Sequence, residues 1–275
     1  MQFYSSNEIL GSLALQIAVC CPDVRERTPL VLFLPDLLLS HNFGFYPWFA
    51  ESMAKDWGAI VARLSPQLEK EARGTEGPND PKEYSLGREV VSVLAYLGGL
   101  LEDSSACVGE WDRENLVIVG HGKGCALGLH LDRRLRVEGF LSPNAIILLN
   151  PPESLHRGPQ QNPPLVTQDD GTTMELGELW NEDLLALADL CPLEELVETT
   201  STPLLVVVGE EGGRFPVSES ERLFSHAGRE KDSFLVLEKT GHFFSTKHPF
   251  EGPSKESKAL LHSCGRFVQD CLAHK

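Results

Sequence analysis

The stretch LVIVGHGKGC, at residues 116–125, decides the predicted fold of this chain. Its first four residues are apolar and three of them are β-branched, which favours a buried strand. Glycines then stand at positions 120, 122 and 124, and apolar spacing typical of a helix begins at Gly124. Glycine tolerates a left-handed backbone and lets another chain segment pass closely. The pattern therefore predicts a strand, a sharp turn centred on Gly122 and a helix at 124–135.

Strand and helix patterns alternate along the rest of the chain. The other predicted strands are 13–20 (as an antiparallel edge strand), 30–34, 58–64, 145–149, 204–208 and 234–237, and the other predicted helices are 48–57, 84–101 and 257–273. Such alternation predicts an α/β fold with a doubly wound, mostly parallel sheet and helices on both faces. No repeat or linker divides the chain, so we expect a single domain over 1–275. A Pro-, Gln- and Asp-rich surface loop is expected at about 153–177.

The net charge, the apolar runs and the cysteines indicate which partners and which cellular compartment to expect. The 275 residues carry a net charge of −16, which argues against nucleic acid or an anionic membrane as a partner. No apolar run is long enough to span a bilayer, so we expect no transmembrane segment. The seven cysteines are irregularly spaced, and the first 21 residues lack the Lys and Arg of a leader sequence. These features favour a reducing, cytoplasmic location, or an organellar one if the chain is a processed form.

No group of His, Cys and acidic residues has the spacing of metal ligands. The glycine-rich segment at 209–213 follows a predicted strand but lacks the pattern of a dinucleotide-binding loop. We therefore expect neither a metal nor a cofactor.

Four motifs occur in a fixed order along the chain. They are VLFLPDLLLSHNF at 31–43, GHGKGC at 120–125, NPPE at 150–153 with PPLVT at 163–167, and the Gly241-His242 pair. Together they resemble the α/β-hydrolase superfamily, and within it the chlorophyllases and dienelactone-hydrolase-like proteins. Chlorophyllases have a sequence close to VLFLHGFLLSNSFY at the first motif and GHSRGG at the second. The resemblance runs from residue 30 to residue 242 and implies the α/β-hydrolase fold.

The resemblance also implies a catalytic triad and an oxyanion hole, which are carried over position by position. Gly122 occupies the position of the nucleophilic serine, and a glycine has no atom that can attack a carbonyl. Asn150 stands at the position of the acid, and His242 stands at that of the base. The oxyanion-hole N–H groups are expected from Leu37 and Lys123, with the Lys123 side chain as a surface charge.

The first oxyanion loop differs from the family as well. Pro35-Asp36 replaces the family's His-Gly, which places a carboxylate beside the predicted hole. A fixed negative charge there opposes a developing oxyanion, whose stabilisation is worth about 3–4 kcal/mol per donor in working hydrolases. This change and those at Gly122 and Asn150 make ordinary serine hydrolysis improbable.

Other residues are candidate substitutes for the missing groups. Cys125 follows the turn, but its place in the first helical turn favours a buried small hydrophobe over a nucleophile. Glu153 is a possible substitute acid, and so is Glu211 or its neighbour Glu210, although exposed loop carboxylates are mostly solvated.

An aromatic run, with Phe43, Phe45 and Trp48, stands where hydrolases build part of a pocket wall. Packing of the first helix against the sheet also explains this run, and we favour this interpretation over contact with a ligand or partner.

Three hypotheses for function follow. In the first, the protein is a non-catalytic α/β-hydrolase-like protein that binds a protein partner or an apolar small molecule through the former active-site pocket. In the second, it is an active carboxyl-ester hydrolase that uses His242 with a substitute nucleophile, or in which Gly122 is an engineered replacement of serine. In the third, it is a subunit of a larger assembly.

Overall fold

An eight-stranded sheet forms the centre of the computed structural model, which describes residues 1–10, 13–22, 28–36, 39–66, 83–102, 111–154, 165–167, 173–211 and 215–273. Its strands are β1 (Gln2–Leu10), β2 (Leu13–Cys21), β3 (Thr28–Leu34), β4 (Ile60–Pro66), β5 (Trp111–His121), β6 (Ala145–Leu149), β9 (Leu204–Gly209) and β10 (Ser233–Leu237). They are arranged in the order β1-β2-β4-β3-β5-β6-β9-β10. The strands from β4 to β10 pair in parallel, which confirms the predicted mostly parallel sheet.

The prediction that the first strand lies at the edge is wrong. Strand β2 is antiparallel as expected, but β1 pairs with it over its whole length and is itself the edge strand. Sequence reasoning missed β1 because its central residues Ser5, Ser6 and Asn7 interrupt any apolar alternation.

Helices cover both faces of the sheet, as predicted. They are α1 (Tyr46–Asp56), α2 (Leu86–Glu102), α3 (Lys123–Val137), α4 (Glu178–Leu190), α5 (Leu193–Thr199), α6 (Val217–Phe224) and α7 (Lys255–Leu272). Apolar side chains of α1 and α7 share one buried cluster with one face of the sheet. Those of α2 to α6 share a second cluster with the other face. The chain is therefore a single α/β domain. No helix in the described ranges has the length and apolar character needed to cross a membrane.

The turn between β5 and α3 has the geometry that its glycines predict. Gly122 has φ 53° and ψ −120°, a conformation that L side chains rarely adopt. A Cβ atom on Gly120 would overlap the main chain of Gly124, and one on Gly124 would overlap the carbonyl of Leu34 in β3. Glycine at 120 and 124 therefore lets the start of α3 lie directly against the ends of β5 and β3.

The expected surface loop at 153–177 contains two short strands. These are β7 (Leu165–Thr167) and β8 (Thr173–Glu175), which pair in an antiparallel manner. Residues 155–164 and 168–172 of that predicted loop lie outside the described residues. Strands of three residues are too short to show a periodicity in the sequence, which is why none was predicted there.

Helix α4 follows the loop and packs on the N-terminal end of α2. The Trp180 ring stacks on Tyr84, with centroids 5.3 Å apart and an interplanar angle of 20°. The Gly87 N–H group at the start of α2 donates to the Asp183 carboxylate at 2.8 Å. A carboxylate at this end of a helix binds a free N–H group and interacts favourably with the helix dipole. The two contacts hold α4 beside the residues that surround Lys123.

Two buried histidines make the stability sensitive to acid. Burial lowers the pKa of His41 and of His130 from 6.5 to about 4, with smaller contributions from Arg63 and Arg133. The unfolded chain therefore binds these protons at a higher pH than the folded chain does. The stabilisation is fully present above pH 6.5 and is lost as the pH falls toward 4. We expect urea unfolding to show a loss of about 2 kcal/mol per histidine between pH 7 and pH 4.5.

The variant His130→Gln provides the control, because it removes one of the two groups and leaves the carboxylates unchanged. Its loss of stability over the same pH interval should be smaller than that of the unmodified protein. An identical loss in both proteins would contradict the assignment.

Candidate functional site

The Asp36 carboxylate lies at the centre of the candidate site, just after β3. Its Oδ1 atom accepts a hydrogen bond from the Lys123 main-chain N–H group at 2.7 Å, and its Oδ2 atom lies 2.9 Å from Nε2 of His242. Asp36 is 3% exposed and His242 is 9% exposed. The carboxylate therefore bridges the first residue of helix α3 and the imidazole inside the protein.

Asp36 occupies the space that a side chain at position 122 would need. A Cβ atom on Gly122 would overlap Oδ1 and Cγ of Asp36 and would lie 2.7 Å from Oδ2. Gly122 and Asp36 therefore depend on each other, because the carboxylate fits only where the turn has no side chain. The glycine at position 122 and the aspartate at position 36 are therefore two parts of one packing arrangement.

The Asp36 carboxylate also fixes the protonation pattern of His242. A carboxylate accepts hydrogen bonds, so the short contact requires a hydrogen on Nε2 of the imidazole. A serine hydrolase needs the opposite arrangement, in which Nε2 is free to take a proton from the serine and Nδ1–H donates to an acid. Nδ1 of His242 is buried and has no hydrogen-bond partner among the described residues. Nε2 of His242 thus carries a hydrogen, whereas a general base needs Nε2 without one.

A ring of hydrogen bonds holds Asp36 and His242 together. The Asp36 N–H group donates to the Tyr46 hydroxyl at 3.3 Å, and this hydroxyl lies 2.7 Å from Nδ1 of His121. Nε2 of His121 lies 2.9 Å from the His242 carbonyl, which can only accept, so the hydrogen of neutral His121 is assigned to Nε2. Tyr46 then donates to Nδ1 of His121. The contact between His242 and Asp36 closes the ring, in which both nitrogens of His121 are engaged by structural hydrogen bonds.

Asn150, at the position carried over for the acid, forms its hydrogen bonds with main-chain groups and not with the imidazole of His242. Its Nδ2 atom donates to the His242 carbonyl at 2.9 Å, and its Oδ1 atom accepts from the Gly209 N–H group at 2.9 Å. Asn150 has φ 49°, a left-handed conformation that asparagine tolerates better than most residues. It fixes the loop that carries His242 to the ends of β6 and β9.

The acidic residues considered as substitutes have other partners or lie in solvent. Glu153 forms a two-point ion pair with Arg222, with both N–O distances at 2.6 Å. The Glu210 carboxylate accepts from the Lys239 N–H group at 2.9 Å, and Glu211 is exposed. None of the three donates to or accepts from Nδ1 of His242, which lacks a partner in the described structure.

Cys125 is placed and protonated as a core residue. Its thiol is 1% exposed and donates to the carbonyls of Gly120 at 3.3 Å and Leu149 at 3.4 Å. Burial, and to a lesser degree the negative charge of Asp36, raises the pKa of this thiol well above its usual value. A thiol that stays protonated is a poor nucleophile, so Cys125 does not replace the missing serine.

The prediction that the Lys123 side chain is a surface charge is wrong. Its Nζ atom is buried 2.5 Å from the Glu89 carboxylate and 2.7 Å from the Tyr84 hydroxyl, which itself donates to Glu89. Burial, and then the charge of Glu89, raises the pKa of Tyr84 well above its usual value. A sequence signal for this cluster is Glu89, the one charged residue among the buried positions of α2.

The predicted oxyanion donors are only partly described. The main-chain N–H group of Lys123 is in the expected place but already donates to Asp36. Leu37, the other predicted position, lies outside the described residues.

The predicted pocket-wall aromatics divide into core and loop contacts. Phe45 has no exposed surface and packs edge-on against Phe49 and Phe244, so it belongs to the core. Phe43 stacks on His248 with centroids 4.4 Å apart, and Trp48 stacks on Phe250 at 5.9 Å. A role in a pocket wall stays a prediction for Phe43 and Trp48.

Comparison with known proteins identifies the fold. No family model matches the sequence, and no curated protein matches it. Among solved structures, Est1E from Butyrivibrio proteoclasticus with bound ferulic acid is similar at a TM-score of 0.71 and 14% identity, over 98% of this chain and 99% of that chain. The esterase domain of a Rhodothermus marinus protein is similar at a TM-score of 0.66 and 15% identity, over 98% of this chain and 99% of that chain. A hyperthermophilic esterase from Pyrobaculum calidifontis is similar at a TM-score of 0.69 and 12% identity, over 98% of this chain and 84% of that chain. The chain has the α/β-hydrolase fold.

Proposed function

We propose that this protein is a non-catalytic α/β-hydrolase-like protein that binds an apolar small molecule or a protein partner at the former active site. The observation that carries the proposal is the position of Asp36. Its carboxylate fills the space of the nucleophile and accepts from both Lys123 N–H and His242 Nε2. The Asp36 side chain thereby fills the space of the nucleophile and accepts the hydrogen of the Lys123 N–H group, a predicted oxyanion donor. It also fixes the hydrogen of His242 on Nε2.

Electrostatics supports the same conclusion. An oxyanion forms in the transition state of ester hydrolysis and is stabilised by N–H groups that point toward it. The Lys123 N–H group points toward a carboxylate instead, and that carboxylate is buried. A second negative charge beside Asp36 would be repelled at close range in a medium of low dielectric constant.

A binding role is supported by the apolar surroundings of the imidazole. The Phe215 ring lies 5.8 Å from His242 and the Phe243 ring lies 4.9 Å from it, both edge-on. Phe43 extends this group through its contact with Phe243 at 5.4 Å. Large, rigid rings beside a few polar atoms are typical of small-molecule sites.

The alternative of an active ester hydrolase has no specific observation in its favour. Cys125 is buried and protonated, and no described carboxylate reaches Nδ1 of His242. The hypothesis of a subunit in a larger assembly stays a prediction.

Assays with p-nitrophenyl butyrate and a fluorophosphonate probe test the proposal directly. We expect no turnover above the buffer rate and no covalent labelling, because no nucleophile lies beside His242 among the described residues. Labelling of any serine or cysteine in the unmodified protein would contradict the proposal.

The double variant Asp36→Gly/Gly122→Ser is the matched control, because it removes the carboxylate and places a serine at the turn. We expect the probe to label it, which shows that the probe reaches the site. Its turnover should stay about 10⁴-fold below that of a complete triad, since no acid orients the imidazole. Turnover by the unmodified protein equal to that of the double variant would overturn the proposal.

A further inference from the structure

Two buried polar atoms on one loop have no hydrogen-bond partner among the described residues. They are Nδ1 of His242 and the hydroxyl oxygen of Thr240, on the segment that follows β10. Thr240 has no exposed surface. Gly241 lies between them, and a Cβ atom there would have nothing within 4 Å. Unsatisfied buried polar groups are uncommon in native proteins and destabilise the fold, so each such group calls for an explanation.

We propose that Thr240 and His242 bind the hydroxyl group of a neutral aromatic alcohol or phenol. This inference rests on the proposed non-catalytic function and specifies the ligand of that site. The ligand hydroxyl donates to Nδ1 of His242, and its oxygen accepts from the Thr240 hydroxyl. The aromatic part packs against the rings of Phe215 and Phe243.

The protonation pattern of His242 selects this ligand chemistry. Because Nε2–H donates to Asp36, neutral His242 presents Nδ1 as an acceptor, and only a ligand with a donor satisfies it. An ether has no donor. A carboxylate also has none, and it would add a second negative charge near Asp36. A hydroxyl group is both donor and acceptor, so it offers the donor that Nδ1 of His242 lacks and the acceptor that the Thr240 hydroxyl lacks.

The ¹⁵N resonances of His242 test the first step without any ligand. They are assigned by comparison with the His242→Gln variant. We expect neutral His242 to carry its hydrogen on Nε2 and to have a bare Nδ1. A hydrogen on Nδ1 in the neutral ring would overturn the inference.

Titration with benzyl alcohol, benzyl methyl ether and benzoate tests the ligand class. We expect benzyl alcohol to bind at least about tenfold more tightly than the ether and to perturb the Nδ1 resonance, since a missing donor leaves Nδ1 unsatisfied. Equal affinity of the alcohol and the ether, tighter binding of benzoate, or no binding of the alcohol would each overturn the inference.

Thr240→Val separates binding from a structural role. Valine has nearly the same shape as threonine but lacks the unsatisfied hydroxyl. We expect the variant to lose about tenfold in affinity for benzyl alcohol, with little change for the ether, and to gain about 2–4 °C in Tm. A lower Tm, or unchanged affinity for the alcohol, would overturn the role of Thr240.

The two proposals fail in different experiments. If the protein neither turns over esters nor reacts with the fluorophosphonate, but binds alcohol and ether equally, only the ligand inference is lost. If the protein proves to be an active esterase, the proposed function is lost whatever the titrations show.

Discussion

Gly122→Ser is expected to lower the free energy of unfolding by about 3 kcal/mol or more, although serine is the residue that the resemblance to chlorophyllases implies at this turn. The new Cβ atom would overlap the Asp36 carboxylate, which is held in place by Lys123 N–H and His242. Part of the cost is this overlap, and part is the φ of 53°. Urea unfolding measures the loss.

Two variants separate these contributions. Gly58 has φ 64° and open space around its Cβ direction, so Gly58→Ser reports the cost of the backbone conformation alone. The double variant Asp36→Gly/Gly122→Ser removes the overlap and should regain most of the stability, which gives a positive coupling between the two positions. If Gly122→Ser were no less stable than Gly58→Ser, the overlap with Asp36 would contribute nothing to the loss in the free energy of unfolding.

Lys123→Met is expected to lower the free energy of unfolding by about 3–5 kcal/mol, because it leaves a buried charge without its partner. Among the described residues, the Glu89 carboxylate would keep only the Tyr84 hydroxyl as a donor, and Glu89 is 2% exposed. Methionine fills nearly the same volume as lysine, so the loss reports the charge and its hydrogen bonds.

The control for this prediction is an exposed ion pair of the same type. Lys247 and Glu251 are 75% and 73% exposed, and Lys247→Met should change the stability little. The triple variant Lys123→Met/Glu89→Met/Tyr84→Phe removes every member of the buried cluster and should regain most of the loss. A triple variant as unstable as Lys123→Met would show that the cluster itself contributes the missing stability.

The predictions that succeeded from the sequence were the local ones. The strands, the turn and its helix follow from apolar spacing and from glycines that the backbone geometry requires. The short β7, β8, α5 and α6 were overlooked because their sequences are brief, and the 13-residue α4 was overlooked although Trp180 and Leu184 have helical spacing. The doubly wound, mostly parallel sheet was predicted from the alternation of strands and helices and is confirmed, whereas the order of its strands was not predicted.

The arrangement of the candidate site could not be predicted in this way. Asp36 and Lys123 are 87 residues apart, and nothing in the local sequence of either indicates that they touch. Asp36 was recognised as a charge beside an oxyanion hole, but its position inside the space left by Gly122 depends on how β3 packs against β5. The buried partner of Lys123 likewise depends on the packing of α2.

The hydrogen-bonded ring has a consequence for how the protein folds. The contact between Asp36 and His242 joins residues 206 positions apart in the chain. Contacts of such long range impose a large loop-closure cost, and they form only when the intervening elements have come together. We therefore expect the loops after β3 and β10 to acquire their final shape late in folding. A folding intermediate that lacks the C-terminal strand has no site, so ligand binding reports that the loops after β3 and β10 have come together.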